Sequence, residues 1–104
     1  MTVIVTPPAD LDTEVAELIR PALMEAAAEG LDVVVDLREV HIIDSAGLGL
    51  LVRAHQEAKQ HGGRFALAAP SRFVLTVLHT MKLDGMFALY PDREAALFSV
   101  NCSG

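Results

Sequence analysis

The stretch "HIIDSAGLGLL", residues 41–51, decides how the chain is read. It sets the only Asp-Ser pair in the chain, Asp44-Ser45, and two glycines, Gly47 and Gly49, between an apolar lead-in and an apolar helical pattern. Leu48, Leu51, Val52, His55 and Ala58 recur at helix spacing, and Gly62-Gly63 stops the run. Immediately upstream, "DVVVDL" (32–37) is the β-branched signature of a buried strand. The quoted segment is therefore a strand-to-helix junction, the place where alternating α/β folds gather their chemistry.

Working outward, strands and helices alternate. "TVIVT" (2–6) is a short strand closed by Pro7 and Pro8. Val15, Leu18, Ile19, Ala22, Leu23 and Ala26 mark a helix with Asp12 or Thr13 as N-cap and Gly30 as its stop. Pro21 within it predicts a kink or a break into two short helices. "RFALAA" (64–69) is a further strand. A helix follows from about Ser71, with Phe73, Val74, Val77, Leu78 and Met81 facing inward. "MFALY" (86–90) and "DREAALFSV" (92–100) complete the pattern as a strand and a helix capped by Asp92. The order predicts a single α/β domain with a mostly parallel sheet and right-handed crossovers.

Composition excludes several function classes. With 104 residues, 52% of them hydrophobic, the chain can bury a sizeable core. Its formal net charge is −6, and the eight Lys and Arg residues are scattered singly, which argues against a nucleic-acid partner or an anionic membrane surface. The first residues, "MTVIVTPPADLD", have neither the basic start nor the apolar length of a signal peptide or a membrane span, so no membrane insertion and a cytoplasmic location are expected. The single cysteine, Cys102, has no intramolecular disulfide partner and reads as a thiol in a frayed end.

At the junction itself, Asp44 and Ser45 are both good N-caps, and one of them accepting a first-turn N–H is the plainest reading. The glycines ask for more. Each costs about 0.5–1 kcal/mol against Ala inside a helix, so Gly47 and Gly49 imply a close backbone approach. A phosphate on the Ser45 hydroxyl, or a tightly packed partner protein, would use such a helix start. Sharper chemistries fail on spacing. A dinucleotide fingerprint needs glycine at position 52, where Val52 stands, and a hydrolase elbow needs glycine at position 43, where Ile43 stands. The histidines His41, His55, His61 and His79 share no helix at i, i+4, so no metal site and no cofactor are expected; His55 reads as packed or snorkelling. Asp36, after "VVV", has the look of a receiver-domain phosphoacceptor, but no lysine closes the strand at 64–69; it is expected to end its strand near solvent.

The run "DVVVDLREVHIIDSAGLGLLVRAHQEAKQHGGRF" closely resembles the core of the STAS domain found in bacterial anti-sigma-factor antagonists, and weaker resemblance extends over about residues 10–97 of the single domain, 1–104. The resemblance implies a non-enzymatic regulatory module. In that family the serine after the aspartate is phosphorylated by the serine kinase activity of the anti-sigma factor, which carries over to Ser45. Asp44, Ala46, Gly47, Leu48 and Gly49 would then support the phosphosite and touch the partner. "ADLD" (9–12) resembles the family's G-E-L-D loop, which brings Asp10 and Asp12 to the same site, with Ala9 in place of the glycine. Ala46 stands where many members carry a second Ser or Thr, so one acceptor is expected. The implied partners are an anti-sigma factor kinase and a phosphatase. The stretch before "DLD" is too short for the family's opening pair of strands, so the first edge strand is expected to be missing, leaving an exposed edge to be covered by the carboxyl end or paired with a second copy. Two other roles share these residues: a STAS subunit docked on a membrane transporter or lipid-transport ATPase, and a receiver-like phosphoprotein.

Overall fold

The computed structural model describes residues 2–101. Its elements run β1 (Thr2–Val5), α1 (Thr13–Ala28), β2 (Asp32–Asp36), α2 (Ser45–Gln60), β3 (Phe65–Ala68), α3 (Arg72–Thr80), β4 (Ala88–Tyr90) and α4 (Arg93–Asn101). All four strands are parallel and lie in chain order, β1-β2-β3-β4. Strand alternation sorts the core into two layers. Val33, Val35, Phe65 and Leu67 point to one face and pack with buried residues of α1, α2 and α3. Val34, Ala66 and Ala68 point to the other and meet Ala96 and Val100 of α4. Three crossover helices thus cover one face and a single helix the other, which is why β2 and β3 are buried along nearly their whole length.

Only one strand, β1, precedes the "DLD" loop among the described residues, and it forms an edge of the sheet, as the sequence implied. Other expectations needed correction. The break offered as one outcome at Pro21 does not occur, and helix α1 runs as one element through it. Pro21 is solvent-exposed and costs one backbone hydrogen bond, but the buried stripe Ala16, Ile19, Leu23, Ala26 and Ala27 holds both halves on the sheet. In α3 only Val74 and Leu78 are buried and Val77 packs partly buried against the core, while Phe73 and, just past the helix, Met81 are about half exposed, because the nine-residue helix offers the sheet a narrow face. The last strand begins at Ala88 rather than Met86, since Met86 N–H donates to the Leu83 carbonyl in a turn. Cys102 lies outside the described residues.

Asp36 departs furthest from expectation. It is 1% exposed, on the α4 side of the sheet. Its carboxylate accepts from Arg93 Nε at 2.9 Å and from the Arg38 backbone N–H at 3.1 Å, and the Arg38 guanidinium lies 3.8 Å away. Arg93 also donates to Thr6 Oγ1, beyond β1. A strand-end carboxylate therefore became the anchor that ties α4 to the sheet. His55 is packed, as expected, with its ring edge-on to Phe65 and Phe87. Burial, with Lys59 as a lesser cause, holds its pKa below the ordinary value.

Candidate functional site

The sequence left open whether Asp44 or Ser45 caps the second helix. Asp44 does: its backbone is extended and its Oδ1 accepts the Gly47 N–H at 3.0 Å. Ser45 becomes the first residue of α2, exposed, with no partner for its hydroxyl among the described residues. A hydroxyl held at a helix start without a structural task is free to react or to be covered.

The two glycines have different causes. A Cβ on Gly47 would stand 2.4 Å from the Leu11 carbonyl oxygen, so this position admits no side chain. A Cβ on Gly49 would meet nothing within 4 Å, and Gly49 is exposed. The close approach inferred from the sequence is thus internal at Gly47. At Gly49 nothing within the domain requires glycine.

Leu11 links the two candidate segments. Its N–H donates to the Ile42 carbonyl at 3.0 Å, its carbonyl accepts the Asp44 N–H at 3.1 Å, and Leu11 and Ile43 form a parallel bridge. Asp10 adds a second clasp, its Oδ1 accepting from the backbone N–H groups of His41 (2.8 Å) and Ile42 (3.1 Å). Those two donors hold its carboxyl below the ordinary carboxylate range. Asp12 caps α1 by accepting the Val15 N–H at 2.9 Å. The starts of α1 and α2 and the "DLD" loop therefore form one hydrogen-bonded unit around Ser45.

The structure brings all the predicted positions together but presents them unequally. Asp12, Asp44, Ser45 and Gly49 are exposed, and Asp10 and Ala46 are half-buried. Gly47 and Leu48 are buried and support the turn from beneath. Sequence reasoning missed Ser71, whose hydroxyl accepts the Val74 N–H and donates to the His41 carbonyl at 2.9 Å, fastening α3 to the same loop. The helix start near it was legible, but its cap and the long-range bond were not read. Also missed was the shallow hollow of 590 Å³ running from Ser45 along α2, which has Arg20 of α1 and Arg53 of α2 in its wall. Ile42, three residues before Ser45, and Met81, in the wall of the hollow, are exposed apolar side chains. Among the described residues no cluster could hold a metal, and no helix is long and apolar enough to cross a membrane.

Comparison with known proteins gives this geometry a context. A protein of Thermotoga neapolitana described as an anti-sigma factor antagonist homolog is 32% identical over 100 residues, covering 94% of this chain and 88% of its own. A crystal structure of a protein of Thermotoga maritima, described in the same terms, superposes with a TM-score of 0.87 at 29% identity, over 96% of this chain and 87% of the other. The phosphorylated form of the Bacillus cell fate determinant SpoIIAA superposes with a TM-score of 0.76 at 26% identity, over 95% and 90% of the two chains. The STAS domain model matches residues 1–96, a span that takes in β1, the "DLD" loop, the Asp44-Ser45 junction and the start of α4. This chain belongs to the STAS domain family.

Proposed function

We propose that this protein is an anti-sigma factor antagonist switched by phosphorylation of Ser45. Unmodified, it binds an anti-sigma factor with serine kinase activity and so frees a sigma factor; phosphorylated, it lets go. The observation that carries the reading is the exposed Ser45 hydroxyl at the first position of α2, unoccupied because Asp44 has taken the capping role. Its surroundings favour the same chemistry. The first-turn N–H groups and the positive end of the helix favour an added anion. The clasp of Asp10 and Leu11 holds the loop in place, so the hydroxyl can be offered to an active site with little ordering cost. In the transfer, Ser45 Oγ forms a bond to the γ-phosphorus of ATP held by the kinase. The bond from that phosphorus to the β–γ bridging oxygen breaks, ADP departs, and the hydroxyl proton passes to a base of the kinase. A phosphatase returns the hydroxyl by hydrolysis.

Release follows from charge. The phosphate adds about −1.5 to −2 charges, and a hundredfold loss of affinity needs only about 2.7 kcal/mol. Dehydrating that charge against a partner fitted to a neutral serine is enough to supply it. The test is titration calorimetry with the anti-sigma factor kinase of the same cell, on the unmodified protein, the Ser45→Asp variant and the form phosphorylated on Ser45. Affinity should fall in that order, because a carboxylate carries less charge and bulk than a phosphate. Equal binding by all three would leave a constitutive docking module in place of a switch.

A further inference from the structure

The hollow beside Ser45 is bordered by two arginines whose guanidinium groups the fold of the domain does not fully use. Arg53 makes no hydrogen bond or ion pair with any described residue. Arg20 binds Glu17 at 3.0 Å through its Nη2, yet its Nε–H is buried without an acceptor among the described residues. Ser45, Gly49 and Arg53 follow one another at i, i+4 and i+8, so they lie along one ridge of α2. The ridge spans about 12 Å of helix rise, and Cα–Cβ bonds on a helix tilt toward its N-terminus; Arg53 borders the hollow and also a second depression lined by Gln56, Glu57, Lys59 and Gln60. Between Ser45 and Arg53, Gly49 is bare, with open space where a side chain would stand.

We propose that this hollow receives the phosphate of modified Ser45, with Arg53 and Arg20 as its guanidinium partners and the bare surface of Gly49 as the path between them. The inference rests on Ser45 as the phosphoacceptor and adds what the modified protein does with the charge. Arginine stays ionised at every physiological pH and offers a fork of donors that matches phosphate oxygens. The modification then has two consequences for a partner. It places an anion at the start of α2, and it withdraws two cations from the surface of a chain whose net charge is −6. It also gives Gly49, which nothing in the unmodified domain requires, a reason to lack a side chain.

Other charges bear on the phosphate. Asp44 caps the same helix, Asp10 and Asp12 lie in the clasped loop, Glu14 and Glu17 are on α1, and Lys82 follows α3. The acids oppose a second negative charge on the phosphate and the guanidiniums favour it. Removing one guanidinium while keeping every acid isolates the contribution of the arginine.

The experiment uses the full chain with phosphoserine installed at position 45 during translation, so that no kinase is needed. The phosphate is titrated by phosphorus NMR in the parent sequence and in the Arg53→Gln, Arg20→Gln and Gly49→Leu variants, with thermal melts to confirm folding. The expected result is a second phosphate ionisation in Arg53→Gln about half a pH unit above that of the parent, roughly a threefold change in proton affinity. Gly49→Leu should move in the same direction although it keeps both arginines, because its side chain blocks the path. Identical titrations in the parent, Arg53→Gln and Gly49→Leu would overturn the proposal. Should Arg20→Gln unfold, the two exposed positions decide the matter alone. Absence of phosphate on Ser45 in the native cell would overturn the switch and leave this titration unaffected, so the two ideas fail separately.

Discussion

Asp36 and Asp44 both follow the buried run of β2, eight residues apart, and their surroundings are opposite. Asp36 is enclosed, and its oxygens are matched by the Arg93 guanidinium and a backbone N–H. Asp44 is exposed and accepts one first-turn N–H. The first carboxylate joins two layers of the domain. The second only shapes a helix start, and in doing so it leaves the next residue, Ser45, with nothing to hold. The contrast separates anchoring from presentation: buried, paired groups fix the scaffold, and a locally satisfied cap leaves the neighbouring hydroxyl exposed.

The largest effect is expected where the anchor is broken from one side. Arg93→Met should destabilise the domain by about 3 kcal/mol, because Asp36 stays buried with its charge poorly matched. That is the low end for such a loss, since the Arg38 guanidinium remains 3.8 Å away. The double variant Asp36→Leu/Arg93→Met should recover most of the loss. Urea denaturation of the three forms checks both points, and a double variant no more stable than Arg93→Met would show that the pair does more than neutralise itself.

A second contrast lies within the junction. Gly47→Ala should cost about 2 kcal/mol, because its Cβ collides with the Leu11 carbonyl and pushes the loop off the helix start. Gly49→Ala should stabilise the domain by about 0.5–1 kcal/mol through helix propensity. Opposite signs in paired melts support the division between a packing glycine and a surface glycine. Equal losses would place Gly49 in the core.

How much of this was legible in the sequence depended on the range of the interaction. The order of elements was, because β-branched runs and helical spacing are local signals, and so were the Asp92 cap and, as one of two candidates beside Thr13, the Asp12 cap. A close approach was read at both glycines and assigned to a phosphate or a partner; at Gly47 the approaching group is instead Leu11 of the same domain, 36 residues away, and at Gly49 there is none. Asp36 was misread for the same reason. Its partner Arg93 is brought to it only when α4 folds onto the far face of the sheet. The hollow walled by Arg20 and Arg53 likewise exists only once α1 and α2 are packed side by side.

A smaller, pH-dependent effect is expected at the clasp. The His41 and Ile42 N–H groups, in that order, lower the Asp10 pKa from its ordinary value of 3.8. Its ionised form therefore contributes stability that is fully present above that value and is lost as the pH falls through the lower folded value. Carboxyl-carbon NMR should show Asp10 titrating below ordinary aspartates, with the His41 and Ile42 amide signals moving in the same acidic range. Titration at the ordinary value would mean that the clasp is open in solution.

The smallest change in stability should come from Ser45→Ala, within about 0.5 kcal/mol, since Ser45 caps nothing and alanine is the better helix former. The same substitution bears on the central claim most directly. The parent protein and the Ser45→Ala variant are each expressed in the native cell, recovered, weighed intact and mapped for phosphate. The account predicts a single phosphate on Ser45 in the parent and none in the variant, with both proteins equally folded. Phosphate elsewhere in the chain, for instance on Ser71 or Thr76, at an undiminished level in the variant would contradict it.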